Sequence, residues 1–294
     1  MKKTLGFIGL GLMGGWMVRH LLNDQYKVHV YDIDEQKMND LAAYGAIAEK
    51  NIKDLPSKVD VIILSLPNSQ IVEDVIQQMD LYKVPKSGLI ILDTSTADPS
   101  ISTELAKALL DKGMYFMDAT VSGTSEMCAA KDTIFMVGGI EDIYQNCKTI
   151  FSSMGRESIY MGKSGTGAAI KLVVNLVLAI NRVGLAEGLT LAKVAGIDQA
   201  LALEVLKKSA AFSKAMDQKG YRMVNREFYP PIGHMSTHYK DVQLMVSYAS
   251  KLKCPVPIIS FTAQALASEM LKRPGDRDSS AIICFYDDLI SNNG

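Results

Sequence analysis

Residues 4–15 have the sequence TLGFIGLGLMGG, in which a short apolar stretch is followed by glycines spaced as G-x-G-x-x-G. The apolar stretch predicts a buried strand, and the glycines predict a tight turn that opens a helix. In such a turn the first glycine permits the bend, the second admits a pyrophosphate, and the third allows close helix–strand packing. The helix N-terminus attracts phosphate oxygens. The segment therefore predicts a dinucleotide-binding unit whose phosphate contacts are Gly9, Gly11, Leu12, Met13 and Gly14.

An acidic residue, Asp32, follows the next predicted strand, at residues 27–31. A carboxylate at this position accepts hydrogen bonds from the adenosine ribose hydroxyls and repels a 2′-phosphate. The neighbouring residues, Ile33 and Asp34, provide no arginine that could hold such a phosphate. The sequence therefore favours NAD as the cofactor over NADP. An acid at this position could also cap the following helix.

The N-terminal half of the chain alternates strand-like and helix-like segments. Further strands are predicted at residues 59–64, 89–92, 115–118 and 134–137. Helices are predicted between them at residues 14–23, 34–44, 70–78 and 103–112. The strands are apolar without strict alternation, as expected for strands that are buried on both faces of a parallel sheet. This order predicts an α/β protein with an N-terminal Rossmann-type domain, a doubly wound parallel sheet, over residues 1–162.

After about residue 162 the sequence pattern becomes helical. Helices are predicted at residues 165–194, 197–210, 240–252, 258–269 and 279–290. We therefore predict an all-helical C-terminal domain over residues 163–294, which begins with a long helix between the domains. Because this helix is long and apolar, we also expect the chain to form a homodimer or a homotetramer.

Two more loops follow predicted strands at the edge of the sheet where the glycine turn lies. They have the sequences Ser65-Leu66-Pro67-Asn68 and Asp93-Thr94-Ser95-Thr96. Ligands of open α/β sheets bind outside the carboxyl ends of the strands. We therefore expect cofactor contacts from Leu66, Pro67, Ser95 and Thr96. Asp93 and Thr96 could instead serve as helix caps.

The composition excludes several classes of function. The chain has 31 basic and 32 acidic residues, so it has no net positive charge that would attract nucleic acid or an anionic membrane. Its four cysteines are far apart and its histidines number only four, which predicts buried thiols and neither a disulfide framework nor a metal site. The N-terminus lacks a signal-peptide pattern, and the apolar stretch at residues 172–180 is too short to span a bilayer. We expect a soluble, cytoplasmic protein with a small-molecule substrate.

Further motifs follow the glycine fingerprint in a defined order. They are D-T-S-T at 93–96, D-A-T-V-S-G at 118–123, G-x-G-x-x-x-K-x-x-x-N at 165–175, K-D at 240–241 and G-D-x-D-x-S-A at 275–281. Together they resemble the β-hydroxyacid dehydrogenases, a group that includes 3-hydroxyisobutyrate dehydrogenase and tartronate semialdehyde reductase. The resemblance implies a catalytic role for Lys171, substrate contacts from Ser122, Gly123 and Asn175, and nicotinamide contacts from Thr96 and Lys240.

The residues themselves also point to Lys171 and Asn175. They are four positions apart on one predicted helix and therefore share a face. A lysine inside an apolar stretch indicates a function for its ammonium group. The alternative is a surface lysine that extends this group to water. As a general base at neutral pH, Lys171 would need a pKa below the ordinary value for lysine, and desolvation in a closed cleft could provide it.

The chain departs from the usual family pattern at five positions. Thr120 and Thr124 replace the proline and the second glycine of D-A-P-V-S-G-G, Met127 and Lys131 stand where glycines are usual, and Val174 replaces an asparagine. Thr124 adds a hydroxyl beside the expected carboxylate site, so we include it among the substrate contacts. These departures bear on which acid the protein uses.

We therefore predict an NAD-dependent dehydrogenase that interconverts a small 3-hydroxy acid, bound through its carboxylate, and the corresponding semialdehyde, with Lys171 as general acid and base. Thr124 and Lys131 leave open an NAD(P)H-dependent reductase of another acid aldehyde, such as succinic semialdehyde, glyoxylate or sulfolactaldehyde. A catalytically silent NAD-binding interaction module is an alternative of another class. The retention of Lys171 argues against this alternative.

Overall fold

The computed structural model describes residues 2–291 of the chain. These residues belong to two compact units, the first of which ends at Lys171 and the second of which begins at Leu172. The strands of the first unit are β1 (Leu5–Ile8), β2 (Val28–Tyr31), β3 (Ile47–Ala48), β4 (Val61–Leu64), β5 (Ile90–Asp93), β6 (Tyr115–Ser122), β7 (Ile134–Gly138) and β8 (Glu157–Gly162). Its helices are α1 (Leu12–Asn23), α2 (Glu35–Ala43), α3 (Leu55–Lys58), α4 (Ser69–Gln78), α5 (Pro99–Leu110), α6 (Ser125–Ala129) and α7 (Glu141–Met154).

The strands form one twisted sheet with the order β3-β2-β1-β4-β5-β6-β7-β8. Strands β1, β4 and β5 are buried along their whole length, and a separate apolar core covers each face of the sheet. The order reverses direction on either side of β1, which places the carboxyl ends of β1 and β4 next to each other. The prediction of a doubly wound Rossmann-type sheet is therefore confirmed.

One strand pair differs from the prediction of a wholly parallel sheet. Strand β7 runs antiparallel to β6, with Ser122 opposite Ile134. Only residues 123–133 connect these strands, and a parallel crossover needs a dozen or more residues. The prediction missed β3 because it is only two residues long, and it missed β8 because that strand has no continuous apolar run. Helices α3, α6 and α7 were also missed.

The second unit is helical in the part that the structure describes. Its helices are α8 (Thr166–Val194, which starts in the first unit), α9 (Gln199–Lys208), α10 (Lys214–Asn225), α11 (Met235–Lys251), α12 (Pro257–Lys272) and α13 (Ile283–Ser291). Helix α10 was not predicted, and a 3₁₀ turn at Ser279–Ile282 precedes α13. The unit has an apolar core of its own, to which α8 contributes Leu172, Ala179 and Leu189.

Helix α8 is longer than the apolar stretch at residues 172–180 that lies within it. By length and composition alone it could cross a membrane, with a mean hydropathy of 1.7 over its most apolar window. One such helix is weak evidence, because the core helix of a water-soluble protein meets the same criteria.

Candidate active site

The glycine turn between β1 and α1 has the geometry that a pyrophosphate requires. Gly9 has a φ of +94°, and a Cβ atom there would lie 2.2 Å from the carbonyl oxygen of Ser65. A Cβ at Gly14 would lie 2.0 Å from the carbonyl oxygen of Gly9. At Gly11, in contrast, a Cβ would meet nothing within 4 Å, so the backbone is open to a ligand. The turn therefore fits the diphosphate of a dinucleotide.

The N-terminus of α1 is also suited to an anion. Its N-cap residue, Gly11, provides no side-chain hydrogen bond, and the first turn of the helix contains no acidic residue. The first backbone N–H groups of a helix have no partners within it and carry a partial positive charge. These groups could therefore donate to phosphate oxygens, as the sequence predicted for Leu12 and Met13.

A cleft of about 420 Å³ opens beside this turn. It is lined by Leu10, Gly11, Leu12, Gly15, Trp16, Arg19 and Lys37. The Arg19 guanidinium lies 5.3 Å from the ring centre of Trp16 and 5.1 Å from that of Tyr44. Trp16, Arg19 and Lys37 were not predicted as candidates from the sequence. The only sequence feature that indicates Trp16 and Arg19 is their spacing, because together with Leu12 they lie on one face of the helix.

Asp32 is held by the backbone on both sides. Its Oδ2 accepts from the Leu10 N–H at 2.6 Å, and its Oδ1 accepts from the Asp34 N–H at 2.9 Å. The carboxylate is therefore fixed against the glycine turn. Asp32 does not cap α2, since the side chain that accepts from the first turn of that helix is Asp34. The alternative of Asp32 as a helix cap is therefore wrong.

The loops after β4 and β5 are joined to each other. The Ser95 hydroxyl accepts from the Leu66 N–H at 2.9 Å, and the Ser95 N–H donates to Asp93 at 3.0 Å. Pro67 is exposed and Thr96 is half-buried beside them. Neither Asp93 nor Thr96 caps α5, because Asp98 accepts from the first turn of that helix. The expected cofactor-facing loops thus form one connected edge of the sheet.

The N-terminus of α8 is anchored to strand β6. Asp118 is 1% exposed, and its two carboxylate oxygens accept from the Gly165 and Ala168 N–H groups, each at 2.8 Å. The hydroxyl of Thr120 donates to the Gly167 carbonyl oxygen at 2.7 Å. Burial raises the pKa of Asp118, while the two backbone donors favour its charged form. Neither side chain was assigned a role from the sequence.

The anchor requires glycine in the first turn of α8. A Cβ at Gly167 would lie 2.3 Å from the carbonyl oxygen of Asp118, which backbone cannot accommodate. The departure from the family pattern at Thr120 is explained at the same place, because a proline there could not make the bond to Gly167. Thr120 therefore stabilises the start of the helix that carries Lys171.

The same face of β6 leads to the expected substrate residues. Side chains alternate along a strand, so Asp118, Thr120 and Ser122 point the same way. Lys171 lies one helical turn beyond Gly167 on α8 and shares its face. Because Thr120 contacts Gly167, the next residues in line on the two elements are Ser122 and Lys171. The anchor thus fixes the backbone position from which each of the two residues continues.

The turn after β6 is shaped by Gly123 and Thr124. Gly123 has a φ of +148°, and a Cβ there would lie 2.7 Å from the Thr133 methyl group. Thr124 is the N-cap of α6, and its hydroxyl accepts from the Met127 N–H at 3.3 Å. The hydroxyl hydrogen of Thr124 remains able to donate to another group. The threonine therefore has a structural role besides the predicted substrate contact.

Lys131, which the sequence analysis connected with substrate choice, pairs with the end of α1. It adopts a φ of +59°, which explains why glycine is usual there, and its ammonium lies 3.5 Å from Asp24. Asp24 is the C-cap of α1, so it is roughly 18 Å along that helix from the glycine turn. Lys131 thus pairs with the end of α1, and its connection with substrate choice stays a prediction.

In the second unit, Asn175 contacts helix α11. Its amide donates to Asp241 at 3.4 Å, and the Lys240 ammonium lies 3.2 Å from the other oxygen of that carboxylate. The expected substrate residue Asn175 and the expected nicotinamide residue Lys240 thus share one acidic partner. Asp241 orients the amide, a function that the K-D motif alone did not reveal.

The cysteines agree with the prediction at three of four positions. Cys128, Cys147 and Cys284 are buried, whereas Cys254 is exposed because it lies after the end of α11. Burial raises the pKa of the Cys128 and Cys147 thiols to about 11, so neither is a nucleophile near neutral pH. Within residues 2–291, no cluster of three or more histidine, cysteine or acidic side chains could hold a metal ion.

Two family models match the chain. Residues 4–162 match the NAD-binding domain of 6-phosphogluconate dehydrogenase. Residues 165–286 match the NAD-binding domain of NADP-dependent 3-hydroxyisobutyrate dehydrogenase. The two matches together cover both units.

Characterised relatives cover nearly the whole chain. It is 30% identical to 2-(hydroxymethyl)glutarate dehydrogenase from Eubacterium barkeri over 292 residues, which are 98% of this chain and 97% of that protein. It is 35% identical to mitochondrial 3-hydroxyisobutyrate dehydrogenase from Mus musculus, over 96% of this chain and 86% of that protein. The structure of Mycobacterium tuberculosis 3-hydroxyisobutyrate dehydrogenase with L-serine aligns with a TM-score of 0.87 at 26% identity, and the alignment covers 96% of this chain and 98% of that one.

Proposed function

The chain belongs to the β-hydroxyacid dehydrogenase family, and from this premise we propose that it interconverts a small 3-hydroxy acid and its semialdehyde. It is an NAD(P)-binding oxidoreductase of the hydroxyacid dehydrogenase type. The proposal assigns Lys171 as the general acid and base. Ser122, Gly123, Thr124 and Asn175 are assigned to the substrate.

One observation carries the assignment of Lys171. Asp118 and Thr120 fix the first turn of α8 against β6, so Lys171 follows one turn beyond a rigid anchor and on the side toward which Ser122 points. Asn175 follows on the same helix face one turn later. A lysine placed by packing of this kind has a defined position, which proton transfer to a bound substrate requires.

Each of these residues would have a separate role in the reaction. The backbone N–H groups around Gly123 would bind the carboxylate of the acid, with the Thr124 hydroxyl as a further donor. In the oxidation direction the Lys171 amine would accept the proton of the substrate hydroxyl, and in reduction its ammonium would return it. Asn175, oriented by Asp241, would donate to the reacting oxygen. A nicotinamide dinucleotide bound at the glycine turn would supply the two-electron acceptor or donor.

We propose NAD as the preferred dinucleotide. The support comes from Asp32, whose carboxylate is held in place by two backbone N–H groups beside the glycine turn. A fixed negative charge at this position disfavours a 2′-phosphate. Lys37 lies in the same cleft, although its charge is partly balanced by Asp34 at 3.4 Å.

The substituent on the acid is open within the family. The relatives are named for 3-hydroxyisobutyrate and for 2-(hydroxymethyl)glutarate. Both acids share a hydroxymethyl group beside a carboxylate, and they differ in whether the neighbouring branch is a methyl group or ends in a second carboxylate. We propose that this chain also oxidises the hydroxymethyl group beside the carboxylate.

The experiment that tests this function is the replacement of Lys171 by alanine. We expect kcat to fall by roughly 10²–10⁴-fold, the range for loss of a general acid–base group. Cofactor affinity should change little, since the dinucleotide contacts lie on the glycine turn and the neighbouring loops. Steady-state kinetics with NAD and 3-hydroxyisobutyrate, together with a cofactor titration, measure both quantities.

The matched control is Lys163→Ala. This lysine is exposed just before α8, and its removal should leave kcat within about twofold of the wild-type value, as expected for a surface change. Retention of most of the turnover by Lys171→Ala would show that another group transfers the proton.

We also propose that the chain forms a homo-oligomer through α8. Val173, Val177 and Leu191 are at least half exposed, and Gly184 lies between them on the same face, where an added Cβ atom would meet nothing within 4 Å. An exposed apolar stripe with a small central residue suits close packing against a second helix. Sedimentation velocity should give a dimer or larger species, and Leu191→Arg should shift it toward the monomer. A monomeric wild-type protein at micromolar concentration would contradict the proposal.

A further inference from the structure

Arg182 on α8 has an unusual environment within the second unit. Its Nε atom is buried and finds no acceptor among the residues that the structure describes, while the residue as a whole is partly exposed. A buried donor without a partner costs free energy, and a charged one costs more. A partly exposed guanidinium with a buried free donor is therefore suited to receive an acceptor from outside the protein.

The carboxylate oxygens of Asp278 already accept several hydrogen bonds each. Asp278 accepts from the Lys219 ammonium at 2.8 and 2.9 Å, and from both the N–H and the hydroxyl of Ser280. The N–H groups of Ile232 and Gly233 donate to its Oδ2 at 3.0 and 3.1 Å. Both oxygens are therefore saturated, and neither is within hydrogen-bond distance of Arg182.

The remaining neighbours leave a net positive charge. Lys219 is 6% exposed and pairs with Asp278, and the same carboxylate is the acidic group whose charge acts on Arg182, so two cations share one acid. His238 adds no further charge, since burial and the cations Arg182 and Lys219 hold its pKa well below the usual value. A neutral imidazole can still donate one N–H group. The cluster formed by Arg182, Lys219 and His238 thus combines one uncompensated cation with an additional donor.

The position of Arg182 on α8 connects this cluster with the substrate residues. It lies about two turns after Asn175 and on the same face of the helix. Side chains on a helix lean toward its N-terminus, so the guanidinium leans toward Asn175 from a Cα position roughly 10 Å further along the axis. A substrate branch that passes Asn175 along this face would end at the guanidinium.

Gly233 packs closely against Lys219 of the cluster. A Cβ at this position would stand 3.3 Å from the Lys219 ammonium and 3.7 Å from the Ser279 hydroxyl. A side chain there would crowd the Lys219 ammonium. Glycine thus leaves bare backbone next to the cluster.

We propose that Arg182 binds a second carboxylate on the branch of the substrate, so that the preferred substrate is a dicarboxylic 3-hydroxy acid. This inference rests on the proposed function. A guanidinium binds a carboxylate through two parallel N–H bonds, and the buried Nε would be one of those donors. A substrate with a methyl branch would leave the guanidinium unpaired, and sites built to bind a polar group discriminate strongly against analogues that lack it.

The experiment compares two substrates in three proteins. 2-(Hydroxymethyl)glutarate and 3-hydroxyisobutyrate differ in the branch carboxylate, and kcat/KM is measured for each with the wild type, Arg182→Met and Arg182→Lys. We expect the wild type to favour the diacid at least tenfold. Arg182→Met should lose roughly ten- to a few-hundredfold on the diacid and less than threefold on the monoacid, the loss expected for a charge-assisted hydrogen bond. Arg182→Lys should retain part of the preference.

A binding measurement that needs no turnover accompanies the kinetics. Glutarate should raise the melting temperature of the wild type and of Lys208→Met, a control in which a largely exposed cation of α9 is removed, but not that of Arg182→Met. Melting curves without ligand also verify that each variant folds.

The outcomes separate this inference from the proposed function. If both acids react equally well and Arg182→Met leaves their ratio unchanged, the second-carboxylate site is wrong and the dehydrogenase proposal stands. If neither acid reacts with either dinucleotide but the rise in melting temperature with glutarate depends on Arg182, the anion site is supported and the proposed reaction is wrong. Absence of both effects would overturn both.

Discussion

Asp32 combines two functions that are usually considered separately. Its carboxylate accepts from the Leu10 and Asp34 N–H groups, so it both shapes the glycine turn and presents a negative charge where an adenosine ribose would bind. Each function depends on a different property of the side chain. The shape depends on the oxygen acceptors, whereas the proposed preference for NAD depends on the charge.

Replacing Asp32 by asparagine separates these properties, because asparagine keeps one acceptor and removes the charge. We expect the ratio of kcat/KM for NAD to kcat/KM for NADP to fall at least tenfold, since both a ribose acceptor and the repulsion of a 2′-phosphate are weakened. Kinetics with both cofactors measure this ratio. Asp40→Asn, on the exposed side of α2, is the control and should leave it unchanged. A wild-type enzyme that prefers NADPH would refute the argument.

The predictability of single residues depends on how local their function is. The glycines of the first turn were predictable because each satisfies a backbone requirement that is visible within six residues. Asp118 and Thr120 were not assigned a role because their partners on α8 lie almost fifty positions later in the chain. Arg182 was not assigned a role, since periodicity does not indicate whether a guanidinium has an acceptor.

At the scale of one element, α8 has two different long faces. One carries Lys171, Asn175 and Arg182, and the opposite one carries the exposed Val173, Val177 and Leu191. The periodicity of the sequence predicted the helix and its approximate ends. It did not reveal the two faces, because apolar residues are spread almost all around the helix and only the tertiary structure decides which of them are covered.

The anchor at the start of α8 predicts a specific effect of Asp118→Asn. The amide can accept with only one atom, so one of the Gly165 and Ala168 N–H groups loses its partner in a buried site. We expect the free energy of unfolding to fall by about 1–3 kcal/mol, the cost of an unsatisfied buried donor. Because Lys171 follows this turn, kcat should fall as well, with cofactor affinity unchanged.

Urea denaturation and steady-state kinetics test this prediction together. Asp98→Asn, at the N-cap of α5, is a matched control that should affect stability but not kcat. An Asp118→Asn variant with wild-type stability would show that the carboxylate is not needed to hold the helix.

At the scale of the whole molecule, Asp93 couples stability to pH. It lies at the end of β5, directly opposite Asp118 on β6. Burial, and to a smaller extent the charge of Asp118, raises the pKa of Asp93 to about 7. Between the ordinary carboxyl pKa and this value the folded chain binds a proton that the unfolded chain does not. The contribution of Asp93 is therefore most favourable in acid and is lost as the pH rises through about 7.

We therefore expect the free energy of unfolding to decrease between pH 5 and pH 8. Over this range the loss is about 3 kcal/mol, at about 1.4 kcal/mol for each pH unit between pH 5 and the pKa of about 7. Asp93→Asn should flatten this dependence, whereas Asp111→Asn, at an exposed end of α5, should not. Urea midpoints across the pH range measure it. A wild-type protein whose stability rises over this range would contradict the raised pKa.

The architecture of the whole chain was largely predictable, because buried parallel strands and long helices produce strong apolar patterns. The reversal of β7 was not, since strand direction depends on the length of a connection and not on the strand itself. The same reversal has a consequence for ligand binding. The turn at residues 123–133 is closed at its base by paired strands, and Thr124 fixes the helix within it. Its backbone donors are ordered during folding, so little conformational entropy would remain to be lost on binding of the proposed acid substrate.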